Sequence, residues 1–217
     1  FNPHARYAVL WTRDQLSDTN RSFLDSLADE PIRPIAGESV LITHASPREP
    51  VWEYILDPLV AALNFPHFET PYCFVGHTHT PVIYQLTDDR GDTETVQPVY
   101  RQPKNLNGRR LILNPGSVGQ PRDNDPRSAY AILDTDAATW EARRVAYPVE
   151  VTQAHMRAAQ LPERLINRLA LVPTAHNAGR LLARASECVP LCANCHRVRS
   201  KGRSRCATVL SRADLRT

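Results

Sequence analysis

Several features that mark other classes of protein are missing from this chain of 217 residues. The longest apolar runs are a handful of residues, far short of the roughly 20 that cross a bilayer, so the sequence predicts no membrane-spanning helix. No charged-then-apolar leader opens the chain. Methionine occurs only at Met156 and the first residue is Phe1, so we interpret the chain as a fragment whose natural start lies upstream.

Cysteine is nearly absent from most of the chain, which argues against a disulfide scaffold. Cys73 stands alone in the body of the chain, and the other four cysteines crowd into nineteen residues near the C-terminus: Cys188, Cys192, Cys195 and Cys206. An isolated thiol beside an apolar strand is usually a small buried hydrophobe, and it indicates a reducing compartment. We therefore expect a cytoplasmic protein.

Charge divides the chain at the same place. The net charge of +3 combines −4 over residues 1–171 with +7 over residues 172–217. The body has no basic excess, so we expect no nucleic-acid binding except through the tail. We assign residues 1–171 to one folded domain and predict that residues 172–217 are a poorly ordered or non-native tail.

Hydrophobic periodicity predicts an α/β (or α+β) fold with a mixed sheet, strands in the middle and helices at both ends. Two helices are predicted in the first thirty residues, the second ending at Pro31. A short helix is predicted over residues 57–65, and one or two helices, interrupted near Pro162, over 149–171. Short apolar runs predict the strands: residues 39–43, 72–76, 81–86, 94–100, 110–113, 129–134 and 139–147.

Three predicted strands run into loops with unusual polar residues. The segments are Thr43-His44, Gly76-His77-Thr78-His79 and Asn114-Pro115-Gly116-Ser117. Loops at strand ends carry the sites of many α/β proteins. A histidine there is partly desolvated, and therefore neutral and available as a metal ligand. One such histidine is more often a structural hydrogen-bonding residue, but the three segments together favour a metal site.

The histidine pair after the second strand predicts part of that site. His77 and His79 are expected on one side of an extended segment, because alternate side chains share a face. Gly76 is expected to let the backbone turn sharply and approach an ion closely. Two such imidazoles can bind one metal ion, or straddle two ions about 3.5–4 Å apart.

The order of these segments resembles the C-terminal part of the calcineurin-like metallophosphoesterases, especially small bacterial members related to diadenosine tetraphosphatases. The resemblance covers about residues 1–170 and implies part of a four-layer α-β-β-α sandwich with mixed sheets, truncated at the N-terminus. It also implies that His44 and His77 bind one metal ion and that His79 binds the other. The residues of the loops expected to support the site are Gly76, Asn114, Gly116 and Ser117.

Three further motifs of the family do not occur in their family order in this sequence: an Asp-x-His, a Gly-Asp pair after the next strand, and a Gly-Asn-His loop. In the family they supply the bridging carboxylate, most ligands of one metal, and the histidine that protonates the leaving group. The resemblance therefore predicts three metal ligands here and no certain catalytic acid. We expect this chain alone to be an incomplete, inactive fragment of a phosphoric ester hydrolase.

The activity implied by the resemblance is hydrolysis of phosphomonoesters, phosphodiesters or dinucleoside polyphosphates by a hydroxide activated at a binuclear metal centre. Imidazoles suit two divalent ions of Mn, Fe, Zn, Ni or Co. Each ligating histidine should donate its other ring N–H to an acceptor, for which backbone carbonyls near Thr43 and Asn114 are candidates.

Two arginines in the loop after Gly119 are candidates for binding substrate phosphate, Arg122 more than Arg127. The alternative, which we favour, is that both pair with carboxylates on a solvated surface. The candidate carboxylates are Asp123, Asp125 and Asp134.

The cysteine tail allows four interpretations. Cys192-Ala193-Asn194-Cys195-His196 matches a c-type haem attachment site, although nothing indicates an export compartment or a haem pocket. The four tail cysteines could instead bind one structural zinc ion. Residues 189–197 resemble the second zinc knuckle of HNH nucleases, without that motif's paired histidines. The abrupt change in charge favours a fourth interpretation, a non-native extension from a frame change or a fused neighbour.

A second hypothesis for the whole chain is a catalytically dead scaffold with a zinc- and nucleic-acid-binding tail. The coding sequence upstream of Phe1 discriminates between the two hypotheses. The three further metal motifs are expected there for a phosphoesterase, whereas a start codon near Phe1 with a stop codon before it favours the scaffold.

The tail hypotheses differ in what protease treatment should show. Residues 197–205 place five cations in nine positions, a run that repels itself and orders only if zinc or an anionic partner supplies free energy. We expect limited proteolysis to cut between about residues 172 and 205 and to leave the melting temperature of the body unchanged. Protection of the tail by added zinc, with a cooperative rise in melting temperature, would instead identify a metal-binding module.

Overall fold

The computed structural model describes residues 2–27, 31–32, 39–87 and 91–170. The expectations for the tail, including its four cysteines, lie outside these residues. The helices are α1 (Pro3–Gln15), α2 (Asp18–Ser26), α3 (Pro58–Asn64), α4 (Val149–Ala158) and α5 (Glu163–Asn167), with a 3₁₀ turn at Phe65–His67. The strands are β1 (Val40–Ile42), β2 (Tyr72–Phe74), β3 (Val82–Leu86), β4 (Thr93–Val96), β5 (Lys104–Asn105), β6 (Leu111–Asn114), β7 (Ser128–Asp134) and β8 (Thr139–Val145).

Local sequence signals account for most helix ends. The Asp57 side chain accepts a hydrogen bond from the Val60 N–H at the start of α3, and Ser17 caps α2 in the same way. Pro162 lies at the start of α5 and separates it from α4, which confirms the predicted break in the helical segment. The prediction for the end of α2 is wrong, because the helix ends at Ser26, well before Pro31. No helix among the described residues has the length and apolar character needed to cross a membrane.

Five strands form one mixed sheet in the order β1-β2-β6-β3-β4. β1, β2 and β6 are parallel, whereas β3 is antiparallel to both β6 and β4. The sheet is mixed because the chain crosses over from β1 to β2 through α3 but reaches β4 from β3 by a hairpin. The carboxyl ends of the three parallel strands therefore lie at one edge.

A second sheet, in the order β5-β8-β7, packs on the first. It is entirely antiparallel, so the expectation of mixed sheets holds for the first sheet alone. The two-residue, polar strand β5 was not predicted, because nothing in its sequence distinguishes it from a loop. Strand β4 also ends at Val96, earlier than the predicted residue 100.

Alternation along the strands divides the core into two parts. Ile42, Phe74 and Leu113 point toward the second sheet and pack in a cluster with Trp140 and its neighbours. The opposite face of the five-stranded sheet packs on α3 and the 3₁₀ turn through Leu41, Cys73, Ile112, Ala61 and Phe65. Helix, mixed sheet and antiparallel sheet thus form three successive layers. Cys73 is a fully buried free thiol, as expected from its apolar surroundings.

A tight turn after β6 brings the two sheets together. Gly116 has a φ of 93°, which favours glycine. A Cβ atom built on Gly116 would lie 2.7 Å from the Cγ atom of Pro81 and 2.8 Å from the Cβ atom of Ala129. Glycine is therefore required here for space as well as for backbone conformation.

Replacing Gly116 with alanine tests this close approach. Gly108→Ala is the matched control, because Gly108 has a φ of 80° but open space around it. We expect Gly116→Ala to lower the free energy of unfolding by about 1–3 kcal/mol more than Gly108→Ala, the usual cost of overpacking. Urea denaturation measures both. Equal losses would show that the Pro81 and Ala129 contacts relax without cost.

Candidate functional site

Three strand ends bring the predicted site residues to one edge of the mixed sheet. His44 follows β1, His77 follows β2 and Asn114 ends β6. Because these strands are parallel, their carboxyl ends meet at the same edge. His44, His77 and His79 line one cavity of about 390 Å³. Gly76, Gly116 and Ser117, predicted as supporting residues, line the same cavity.

His44 and His77 face each other across a short gap. The Nε2 atom of His44 lies 2.9 Å from the Nδ1 atom of His77, and the two rings meet edge to face. Both residues are buried, with 6% and 2% of their surface exposed. Two nitrogen ligands at right angles on one metal ion, each about 2.1 Å from it, are separated by about 3 Å. The observed spacing suits either one hydrogen bond or two ligands of a single ion.

Burial keeps the His77 ring neutral. It lowers the pKa of His77 to about 3, and electrostatic interactions with His44, His79 and Arg122 act in the same direction. A hydrogen bond to the Trp52 backbone raises the pKa of His77 by a smaller amount. Even so, the buried Nε2 atom of His77 makes no hydrogen bond within the described residues. A neutral ring keeps a nitrogen lone pair, which metal binding requires.

The histidine loop is not extended, which corrects the predicted conformation. His77 and His79 each have a φ of 61°, a region that residues other than glycine seldom occupy. The Thr78 N–H donates to the Gly76 carbonyl at 2.6 Å and closes a three-residue turn centred on His77. The sharp turn therefore falls on the histidine rather than on Gly76. Such strained residues concentrate at functional sites.

Gly76 has a different role from the one predicted. Its N–H donates to the His44 carbonyl at 2.8 Å. A Cβ atom on Gly76 would lie 3.4 Å from that carbonyl oxygen, within ordinary contact distance. The contact joins the two histidine-bearing loops through the backbone.

Asn114 connects the histidine loop to the turn after β6. Its side-chain Nδ2 donates to the Gly76 carbonyl at 2.7 Å and to the Thr78 Oγ1 at 2.9 Å. Its Oδ1 accepts from the Gly116 N–H at 2.9 Å. Asn114 is 1% exposed, so water does not compete for these hydrogen bonds. One amide side chain thus fixes two loops that line the cavity.

His79 is oriented by a carbonyl that the sequence did not indicate. Its Nδ1 lies 2.9 Å from the Gln120 carbonyl oxygen. Because a carbonyl only accepts, Nδ1 carries the proton and Nε2 carries the lone pair. The predicted acceptors near Thr43 and Asn114 are not used by this ring nitrogen. The Gln120 carbonyl comes close because the Arg122 N–H also donates to the His79 carbonyl, at 3.1 Å.

Sequence reasoning missed the segment between β1 and α3. The Tyr54 ring lies 4.0 Å from the His77 ring, centroid to centroid, and covers it. The segment is held by Glu53, whose carboxylate accepts from Ser46 Oγ at 2.7 Å and from Asn64 Nδ2 at 2.8 Å and pairs with Arg48. No motif or periodicity marks these residues, because their contacts are mostly polar and follow no regular spacing.

The two candidate arginines have separate environments. Arg127 pairs with Asp125 at 2.6 Å on the surface, as in the favoured alternative. The Arg122 Nη2 atom lies instead 3.3 Å from Gln120 Oε1, and the Arg122 charge reaches His77. Asp123, a predicted partner, pairs with the buried Arg144. Arg122 therefore lies next to Gln120, which lines the cavity. Arg127 instead pairs with Asp125 on the surface.

The donors present fit part of a metal site. Two facing imidazole nitrogens and a third oriented histidine are the right chemistry for borderline divalent ions. Within the described residues, however, no group of three or more His, Cys, Asp or Glu side chains is arranged to hold an ion. The Gly91-Asp92 pair cannot help, because it follows β3 at the end away from His79. The described chain thus offers nitrogen ligands without carboxylates.

Comparison with known proteins establishes the family. A model of the calcineurin-like phosphoesterase superfamily domain matches residues 12–138, more than half of the chain. The chain belongs to this superfamily, which groups hydrolases. The resemblance drawn from the histidine motifs is therefore confirmed at the level of the superfamily.

Three individual proteins are similar to most of this chain. A crystal structure of a metallophosphoesterase from Sphaerobacter thermophilus is 44% identical, with a TM-score of 0.70, over 78% of this chain and 69% of that one. MJ0912, an uncharacterized protein of Methanocaldococcus jannaschii, is 32% identical over 79% of this chain and 67% of its own length. The hypothetical protein PH1004 from Pyrococcus horikoshii OT3 is 17% identical, with a TM-score of 0.54, over 80% and 67%. The last match shows the fold alone.

Backbone strain at His77 can be measured. We expect His77→Gly to unfold with a free energy about 1 kcal/mol higher than His77→Ala, because both lose the ring but only alanine retains the cost of positive φ. The control pair is His155→Gly and His155→Ala in α4, where alanine should be the more stable by about 1 kcal/mol. Urea denaturation checks the two orders. The same order at both positions would contradict strain at His77.

Proposed function

We propose that this protein is a metal-dependent phosphoesterase that hydrolyses phosphomonoesters, phosphodiesters or dinucleoside polyphosphates. The observation that carries the proposal is the pair of buried imidazoles with nitrogen atoms 2.9 Å apart, in a cavity at the edge where three parallel strands end. Membership of the calcineurin-like superfamily supports the same reaction class.

His44 and His77 would hold one divalent ion, and His79 would hold the second. Mn, Fe, Zn, Ni and Co are the candidate ions, because imidazole suits all of them. When bound, the ions supply a hydroxide for attack on phosphorus and neutralise charge on the phosphoryl oxygens. The Gln120 carbonyl holds His79 in the tautomer that presents Nε2, and Asn114 holds the loop between the two histidines of the pair.

Carboxylate ligands and the proton donor are needed in addition. In related family members they belong to the Asp-x-His, Gly-Asp and Gly-Asn-His motifs. We propose that residues 1–217 form the C-terminal part of a four-layer sandwich whose remaining ligands come from outside them. A cytoplasmic location, a phosphorylated small molecule or nucleotide as substrate, and kinship with diadenosine tetraphosphatases belong to the same proposal.

Metal binding tests the proposal directly. We expect calorimetric titration with Mn²⁺ to detect weak binding that His77→Ala weakens by roughly 10–100-fold or more, since losing even an outer partner of a ligand costs that much. His155→Ala is the control, because His155 is exposed on α4. Binding that is unchanged by His77→Ala would contradict the assignment of His77 as a ligand.

Turnover tests the incomplete-site part of the proposal. With a chromogenic phosphodiester and Mn²⁺, we expect residues 1–217 to hydrolyse little, because a missing general acid alone lowers the rate roughly 10²–10⁴-fold. Chelation with EDTA should remove whatever activity there is. Rapid Mn²⁺-dependent turnover that His77→Ala abolishes would support the metal site but refute the missing ligands, and turnover indifferent to EDTA would refute the proposed function.

A further inference from the structure

Gln120 is buried beside the histidines and lines the same cavity. It is 5% exposed. Three of its polar groups have partners: its N–H donates to Ser117 Oγ at 3.0 Å, its carbonyl accepts from His79 Nδ1 at 2.9 Å, and its Oε1 accepts from Arg122 Nη2 at 3.3 Å. These contacts fix the backbone and one end of the side chain.

The remaining group of Gln120 is a donor without an acceptor. A guanidinium group only donates, so the side-chain atom that faces Arg122 must be the oxygen. This fixes the orientation of the amide and leaves Nε2 on the other side. Nε2 is buried and makes no hydrogen bond within the described residues. A buried donor left unsatisfied costs free energy, so such a group calls for an acceptor from outside the fold.

The surroundings select the chemistry of that acceptor. The residues that line the cavity include His77 and Ser117 and no carboxylate, and the guanidinium of Arg122 lies against the Gln120 amide. An anionic oxygen that accepts hydrogen bonds therefore suits this donor, because the neighbouring guanidinium favours a negative charge.

We propose that Gln120 Nε2 donates a hydrogen bond to a phosphoryl oxygen of the substrate, so that Gln120 is a substrate-binding residue. The inference rests on the proposed function, because it takes the anion to be the phosphoryl group that the histidine site acts on. The Gln120 carbonyl fixes His79, so one residue sets both the orientation of a candidate ligand and the place of the substrate group. Arg122 then acts by orienting the amide as well as by its charge.

Phosphate binding and stability together test this role. Gln120→Met keeps the length of the side chain but removes both the Nε2 donor and the Oε1 acceptor, Gln120→Glu keeps an acceptor and places an anion there, and Gln102→Met on the surface is the control. We expect inorganic phosphate, titrated in calorimetry with EDTA present, to bind Gln120→Met at least about tenfold more weakly, since hydrogen bonds to charged groups are the stronger ones. Gln120→Glu should bind no measurable phosphate. The melting temperature of Gln120→Met should fall little, because the lost donor had no partner and the lost acceptor makes one long hydrogen bond with Arg122.

The outcomes separate this inference from the proposed function. Unchanged phosphate affinity in Gln120→Met, or no phosphate binding by the unsubstituted chain, would overturn the inference. A clearly lower melting temperature with unchanged affinity would show that the amide is structural. Because EDTA removes metal, phosphate binding that depends on Gln120 would support the inference even if His77→Ala left Mn²⁺ binding unchanged. Conversely, Mn²⁺ binding that depends on His77, with phosphate binding indifferent to Gln120, would leave the proposed function standing without it.

Discussion

The candidate site depends on one buried amide. Asn114 donates to the Gly76 carbonyl and to the Thr78 hydroxyl, and accepts from the Gly116 N–H. A strand end supplies a fixed anchor, because β6 pairs on both sides within the sheet. Three hydrogen bonds from a residue that is 1% exposed transfer that rigidity to two loops with no regular structure. Without them, the histidine loop would lose its only side-chain link, among the described residues, to the end of β6, and would depend on its contacts with His44, Tyr54 and Gln120.

Holding that shape is costly, since two histidines adopt positive φ within three residues. Each residue other than glycine in this region costs about 1–2 kcal/mol. Glycine at either position would remove the strain but also the imidazole. The fold instead offsets the cost with the Asn114 hydrogen bonds and with the packing of Tyr54 on His77. The strain lies where the proposed metal binding needs an imidazole but the backbone conformation favours glycine.

The sequence predicts what depends on local signals and misses what depends on distant partners. Short apolar runs predicted β1, β2, β3 and β6. His44 and His77 were expected together because each follows one of these predicted strands. Strand β5 was missed because it has no apolar run of its own. It is a strand only because it pairs with β8. The extended conformation predicted for residues 77–79 was wrong because Asn114, some 36 residues away, overrides the preference of the segment. Tyr54 and Gln120 carry no motif and became visible only through contacts.

The charges around the cavity link the binding of an anion to the binding of a metal ion. Three imidazoles line a cavity whose lining residues include no carboxylate, and burial, with a smaller contribution from the charge of Arg122, lowers the pKa of His77 to about 3. The positive charge of Arg122, which lies against Gln120, opposes a divalent cation nearby, although the neutral nitrogen atoms are suitable ligands. An anion relieves that opposition, since its charge is felt at close range in a medium of low dielectric constant. Phosphate beside Gln120 and a metal ion that His44 and His77 would hold should therefore favour each other, and by linkage the coupling must be reciprocal. The carboxylate ligands that we propose lie outside residues 1–217 would neutralise the same charge, so this coupling should be strongest for residues 1–217 on their own.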